Sequence, residues 1–142
     1  DCDRVVLFAL TLGPEAELLI RREGLRSPTE ALILDACASA ACEQACDELQ
    51  KQLEDQLCVE GLYPTDRFSP GYGDFALQHQ RDILLSLDTA RTLGLTLTES
   101  LLMMPSKSVT AVIGLGASAR TCGHRCMFCT KKNCIYREVI TS

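Results

Sequence analysis

Arg67-Phe68-Ser69-Pro70-Gly71-Tyr72-Gly73-Asp74 is the stretch on which the reading of this chain turns. Pro70 fixes the backbone at one position while Gly71 and Gly73 free it at two others, and Arg67 and Tyr72 bring polar groups into the same short loop. Such a loop either holds a ligand or joins two elements, and its own residues leave both readings open.

Upstream of the loop, Pro28 to Val59 contains neither Gly nor Pro, and Ala31, Leu34, Ala38, Ala41, Ala45, Leu49, Gln52 and Leu53 recur at spacings of three and four. The pattern predicts one long helix. Ser27-Pro28-Thr29-Glu30 opens it with Ser and Glu at capping-box spacing, and Gly61 is its expected stop. At about 1.5 Å per residue so long a helix has room for a break. Its first half is lined with Ala, Ser and Cys, which permits a close backbone approach by a neighbour or a ligand. Cys42 and Cys46, one turn apart, are expected to pack as small apolar side chains.

Arg4 to Leu12 reads as a buried strand and Glu15 to Glu23 as a short helix between Pro14 and Gly24. Beyond the loop, Leu77 to Leu93 reads as a single helix ending at Gly94. Leu95-Thr96-Leu97-Thr98 and the apolar run to Met104 precede Pro105, after which Ser108 to Ile113 is rich in β-branched residues. A hairpin turning at Pro105 is therefore expected. Gly114-Leu115-Gly116 reads as a flexible exit.

The length of 142 residues and 46% hydrophobic content fit one domain with a real core. With 14 basic against 19 acidic residues the net charge is -5, which argues against a general nucleic-acid surface. No apolar run approaches the roughly 20 residues of a membrane span. No basic leader with an apolar centre opens the chain, so a soluble, cytoplasmic protein is expected. Because it begins at Asp1 rather than Met, a processed or trimmed chain is expected, with residues that complete a site lying upstream.

Nine cysteines are many for this length, and Cys122, Cys126, Cys129 and Cys134 crowd together near the end. Four thiolates so spaced can converge on zinc or on an iron–sulfur cluster, and Arg120, Arg125, Lys131, Lys132 and Arg137 would offset their charge. The first three, with Phe128, also match the spacing of radical AdoMet enzymes. Against that reading stand the short chain after Cys129 and the nearby Cys134. A division into 1–118, a folded domain, and 119–142, a metal-binding tail, is expected. Gly114-x-Gly116 lacks the rest of a dinucleotide fingerprint, and His79 and His124 form no triad.

The loop Arg67 to Asp74, then a helix, then Gly94-Leu95-Thr96-Leu97-Thr98-Glu99-Ser100 and Lys107-Ser108-Val109-Thr110-Ala111 together resemble the activation domain of cobalamin-dependent methionine synthase, over residues 4–116. The resemblance implies an α+β fold, a mixed domain with a twisted antiparallel sheet and a long helix. It also implies S-adenosylmethionine (AdoMet) as ligand, cobalamin carried by a partner, and reactivation by one methyl group and one electron. The partners implied are a corrinoid protein or methionine synthase, and an electron donor such as flavodoxin or ferredoxin.

By position, Arg67 matches the family arginine that meets the AdoMet carboxylate, Ser69 lies where backbone groups hold the ligand, and Gly71 allows close approach. Tyr72 matches the tyrosine beside the ligand, and Glu43 a glutamate near it. The family's aspartate for the ligand's amino group has no visible counterpart, and the cysteine tail is foreign to that domain. The chain is thus expected to be a component of a cobalamin-dependent methyltransferase system. The alternatives are a non-catalytic interaction protein of the same fold with a zinc-binding tail, or an iron–sulfur reductive activator of a corrinoid protein.

Overall fold

The computed structural model describes residues 2–116. Strand β1 (Arg4–Thr11) leads into helix α1 (Pro14–Gly24) and then into helix α2 (Pro28–Val59). Next come the short strand β2 (Tyr63–Pro64), helices α3 (His79–Ser86) and α4 (Thr89–Thr92), strands β3 (Thr96–Leu97) and β4 (Met103–Met104), and the long strand β5 (Ser108–Gly116).

Helix α2 begins where its cap lies, with the Ser27 hydroxyl accepting the backbone N–H of Glu30 at 3.3 Å and Pro28 in the first turn. It runs 32 residues without a break. Gly61 follows the last turn at φ 73, a left-handed position that only glycine takes without strain.

Three strands form the main sheet in the order β1-β5-β2, all antiparallel. β5 is central, and its register with β1 runs unbroken from Arg4↔Leu115 to Thr11↔Ser108. Alternation puts Val109, Ala111, Ile113 and Leu115 of β5 on one face, opposite Leu10, Phe8 and Val6. Helix α2 covers that face, so Phe8, Cys46, Ala111 and Ile113 make the buried core, with Leu53 packed against it. Thr110, on the opposite face by the same alternation, is buried too, and α3 packs against both β1 and β5.

Three expectations need correction. The helix expected over Leu77 to Leu93 is two helices, interrupted by Asp88 in the left-handed conformation at φ 48. The buried Thr89 hydroxyl donates to the carbonyls of Leu95 (2.9 Å) and Leu84 (3.4 Å), which secures the break. The hairpin turns at Thr98 to Leu102 rather than at Pro105, since β3 pairs with β4 while Ser108 onward pairs with β1. The Thr98 hydroxyl accepts the Leu102 N–H at 3.0 Å, and the Thr98 N–H donates to the Leu102 carbonyl at 2.9 Å, closing that turn. The eight-pair ladder with β1 decides the partner of β5, where a two-residue strand would offer far less.

Gly114 to Gly116, expected as a flexible exit, is instead the end of β5. Gly114 sits at a crowded crossing, where an added Cβ would stand 2.9 Å from the Cys2 Sγ and 3.5 Å from Thr65. There the Gly114 carbonyl accepts the Thr65 N–H at 2.8 Å and its own N–H donates to the Thr65 hydroxyl at 3.0 Å.

Candidate functional site

The segment from Tyr63 to Phe68 runs alongside β5. After β2, Phe68 and Val112 exchange both backbone hydrogen bonds at 2.9 Å, and the pairing fixes Arg67 from the residue beside it. Arg67 then extends toward α2 and is only 7% exposed. Its Nη2 donates to Asp47 Oδ1 at 2.7 Å and to Glu43 Oε2 at 3.5 Å, and its Nη1 donates to Gln50 Oε1 at 3.0 Å. Glu43, Asp47 and Gln50 succeed one another at spacings of four and three, so one face of α2 presents all three to a single guanidinium.

The guanidinium carbon also lies 5.9 Å from the centroid of the Phe8 ring, linking the site to the core. Gln50 is itself buried, and its amide donates to Glu54 Oε1 at 2.8 Å, which carries the chain of hydrogen bonds one turn further along α2. The cation is thus enclosed while its anionic partners face water, with side chains 66% exposed for Glu43 and 72% for Asp47. This geometry keeps the desolvation cost on one partner only, and leaves outward-facing carboxylate oxygens available.

An open groove of about 400 Å³ adjoins the cluster, lined by Asp47, Gln50, Lys51, Glu54, Asp55, Asp66 and Arg67. Four of the seven residues are carboxylates, so the groove favours a cation or a ligand with a cationic part.

Of the residues singled out from the sequence, Arg67 and Glu43 meet directly, at the long end of the hydrogen-bond range. Ser69, Gly71 and Tyr72 form the adjoining loop and do not line the groove. That loop closes on itself: the Tyr72 N–H donates to the Ser69 carbonyl at 3.3 Å and the Gly71 N–H to the Phe75 carbonyl at 2.7 Å. Gly71 stands at φ 95, so the turn itself demands a glycine there. The Tyr72 side chain projects outward, with the residue 67% exposed.

Asp47, Gln50 and Phe8 went unnoticed in the sequence. For Asp47 a signal was present, one helical turn after Glu43, but only the fold brings Arg67 to that face. The stack of Phe68, Phe75 and His79, with centroids 6.0 and 5.2 Å apart, also required the fold.

Behind the carboxylates, Cys42 and Cys46 are buried. Burial pushes the Cys46 thiol up to about 11, with its neighbour Cys42 adding to the rise and Arg67 opposing it. Burial also raises the Cys42 thiol, reinforced by Glu43. Both therefore stay protonated and serve packing, as expected from the sequence. Cys122, Cys126, Cys129 and Cys134 lie outside the described residues. Among the described residues no group of three or more His, Cys, Asp or Glu side chains could hold a metal ion, and no helix is long and apolar enough to cross a membrane.

The model of one protein family, described as vitamin B12 dependent methionine synthase, activation domain, matches residues 3–126, a span that takes in Cys122 and Cys126. A solved structure described as the MetH reactivation domain bound to AdoHcy is similar with a TM-score of 0.67 at 22% identity, over 82% of this chain and 40% of that one. At such identity the likeness speaks to the fold, and it agrees with the mixed helical and antiparallel architecture. No curated protein matches the chain.

Proposed function

We propose, on the premise that the chain belongs to the vitamin B12 dependent methionine synthase activation-domain family, that it binds AdoMet through Arg67 and serves the reductive methylation of cobalamin on a methionine synthase or another corrinoid protein. The chain spans 40% of the length of the solved reactivation domain it resembles. The description of that domain as bound to AdoHcy supports the ligand class, because AdoHcy shares its amino-acid end and its adenosine with AdoMet.

The observation that carries the reading is the enclosed Arg67 guanidinium, aimed by the β5 pairing and set beside a groove rich in carboxylates. An amino-acid carboxylate can pair with such a guanidinium in a planar, charge-assisted contact that lysine reproduces poorly. Glu43 meets Arg67 at 3.5 Å, Ser69 lies where the family holds the ligand with backbone groups, Gly71 allows close approach, and the exposed Tyr72 ring can approach a sulfonium. The ligand supplies the methyl group, and a donor such as flavodoxin or ferredoxin one electron. The chain's own part is to position the ligand against the corrinoid partner.

Calorimetric titration with AdoMet tests the reading. The parent is expected to bind and Arg67→Ala to lose binding, with Arg67→Lys weakened; an Arg67→Ala variant as tight as the parent refutes the assigned site.

For the cysteine tail, spacing alone supports zinc or an iron–sulfur cluster, and with it the division at 118/119. Stoichiometric zinc by elemental analysis, with no charge-transfer absorption after anaerobic reconstitution with iron and sulfide, would remove the iron–sulfur reading.

A further inference from the structure

We infer that the outer edge of β1 is a docking groove for an extended strand, and that its occupant is the stretch 135–141 of the same chain, which lies outside the described residues.

Among the described residues β1 has a strand partner on one side only, since the sheet order β1-β5-β2 places it at the rim. The direction of its backbone groups follows from the ladder. The Leu12 N–H donates to the Lys107 carbonyl at 2.9 Å, so by alternation Arg4, Val6, Phe8 and Leu10 turn their N–H and C=O groups toward β5. Val5, Leu7 and Ala9 therefore turn theirs away from the sheet. They open onto a groove of about 310 Å³. Leu49 and Leu53 of α2 form one wall of it, and Leu87, Thr92 and Leu93 the other. Leu49 and Leu93 are exposed, so both walls present apolar surface to whatever enters.

These two features together define what fits. Outward N–H and C=O groups are matched by another main chain in extended form, and walls on both sides take its alternate side chains. A second copy meeting edge to edge would press its own walls against these before its β1 could enter. The occupant is thus a strand without flanking helices.

The chain that follows β5 supplies one. Arg4 pairs with Leu115, so β5 ends beside the start of β1. The outer edge of β1 is two strand spacings away, roughly 10 Å, and residues 117–134 at about 3.3 Å each reach it with length to spare. Ile135, Tyr136, Val139, Ile140 and Thr141 all favour strand, and the successive Val139 and Ile140 send their side chains to opposite walls. Charge favours the same occupant. Arg120, Arg125, Lys131, Lys132 and Arg137 are offset by Glu138 alone in the stretch 119–142, while the whole chain carries -5, so a basic segment returns to an acidic body. The covalent tether adds an effective concentration on the order of millimolar.

The test is amide hydrogen exchange followed by NMR on the full 142-residue chain, parent and Val139→Asp/Ile140→Asp, at two protein concentrations. In the parent the outward amides of Leu7 and Ala9 are expected to exchange roughly tenfold or more slowly than in the variant, equally at both concentrations. The inward amides of Val6 and Phe8 stay protected in both proteins, which shows that the sheet is kept. Free exchange of Leu7 and Ala9 in the parent overturns the inference, because the edge is then open. Protection that survives in the variant, or that grows with protein concentration, overturns it too by assigning the groove to another strand or to a second copy.

Discussion

Arg67 shows how one side chain takes its meaning from its surroundings. The sequence presents it as the first residue of a Gly- and Pro-containing loop; the fold makes it the buried hub joining that loop to three residues of α2 and to Phe8. Its neighbour Cys46 permits a test at the same scale. Because burial raises that thiol from its ordinary value near 9 to about 11, the folded state keeps a proton that the unfolded chain releases as pH passes about 9. Stability from this group is therefore complete below pH 9, declines between 9 and 11, and falls no further above that window. Urea unfolding of Cys46→Ala beside the parent across this range is expected to show a smaller decline for the variant; identical slopes would mean the thiol is not protected.

At the scale of elements, α2 is the piece most fully written in the sequence, from its cap to its stop. Replacing Ser27 with Ala removes the acceptor for the Glu30 N–H and is expected to cost about 1 kcal/mol, read as a shift in the urea midpoint with an unchanged slope. Which face of α2 is buried was less legible. Cys42, Cys46 and Gln50 are buried, while Ala41, Leu49 and Gln52 of the expected stripe are exposed. A helix this long meets different neighbours along its length, so one continuous stripe is not required of it. The break at Asp88 and the turn at Thr98 to Leu102 escaped notice because each depends on left-handed residues other than glycine, Asp88 and Leu101. Propensity disfavours both, and hydrogen bonds of Thr89 and Thr98 hold the chain in shape around them.

For the whole molecule, the proposed ligand bridges two parts of the fold that are distant in the chain, the loop after β2 and the face of α2, so binding should stabilise the native state as a unit. At a free AdoMet concentration of 100 times Kd the gain is about 2.7 kcal/mol. A rise in the thermal midpoint is expected for the parent and none for Arg67→Ala; a rise of equal size in both would place the ligand elsewhere. The sequence by itself determined the first strand, both early helices, the Ser27 cap and Gly61 stop of α2, the packing role of Cys42 and Cys46, and the family resemblance. Those features depend on local backbone preferences and on residue types at short spacing. Tertiary structure alone decided that β5 pairs with β1 along its length, that Gly114 to Gly116 belongs to the sheet, and that Arg67 faces Glu43, Asp47 and Gln50. The physical reason is that strand pairing and ion pairing are chosen by competition among distant segments, and Arg67 lies 20 residues from Asp47 in the chain while standing 2.7 Å from it in the fold.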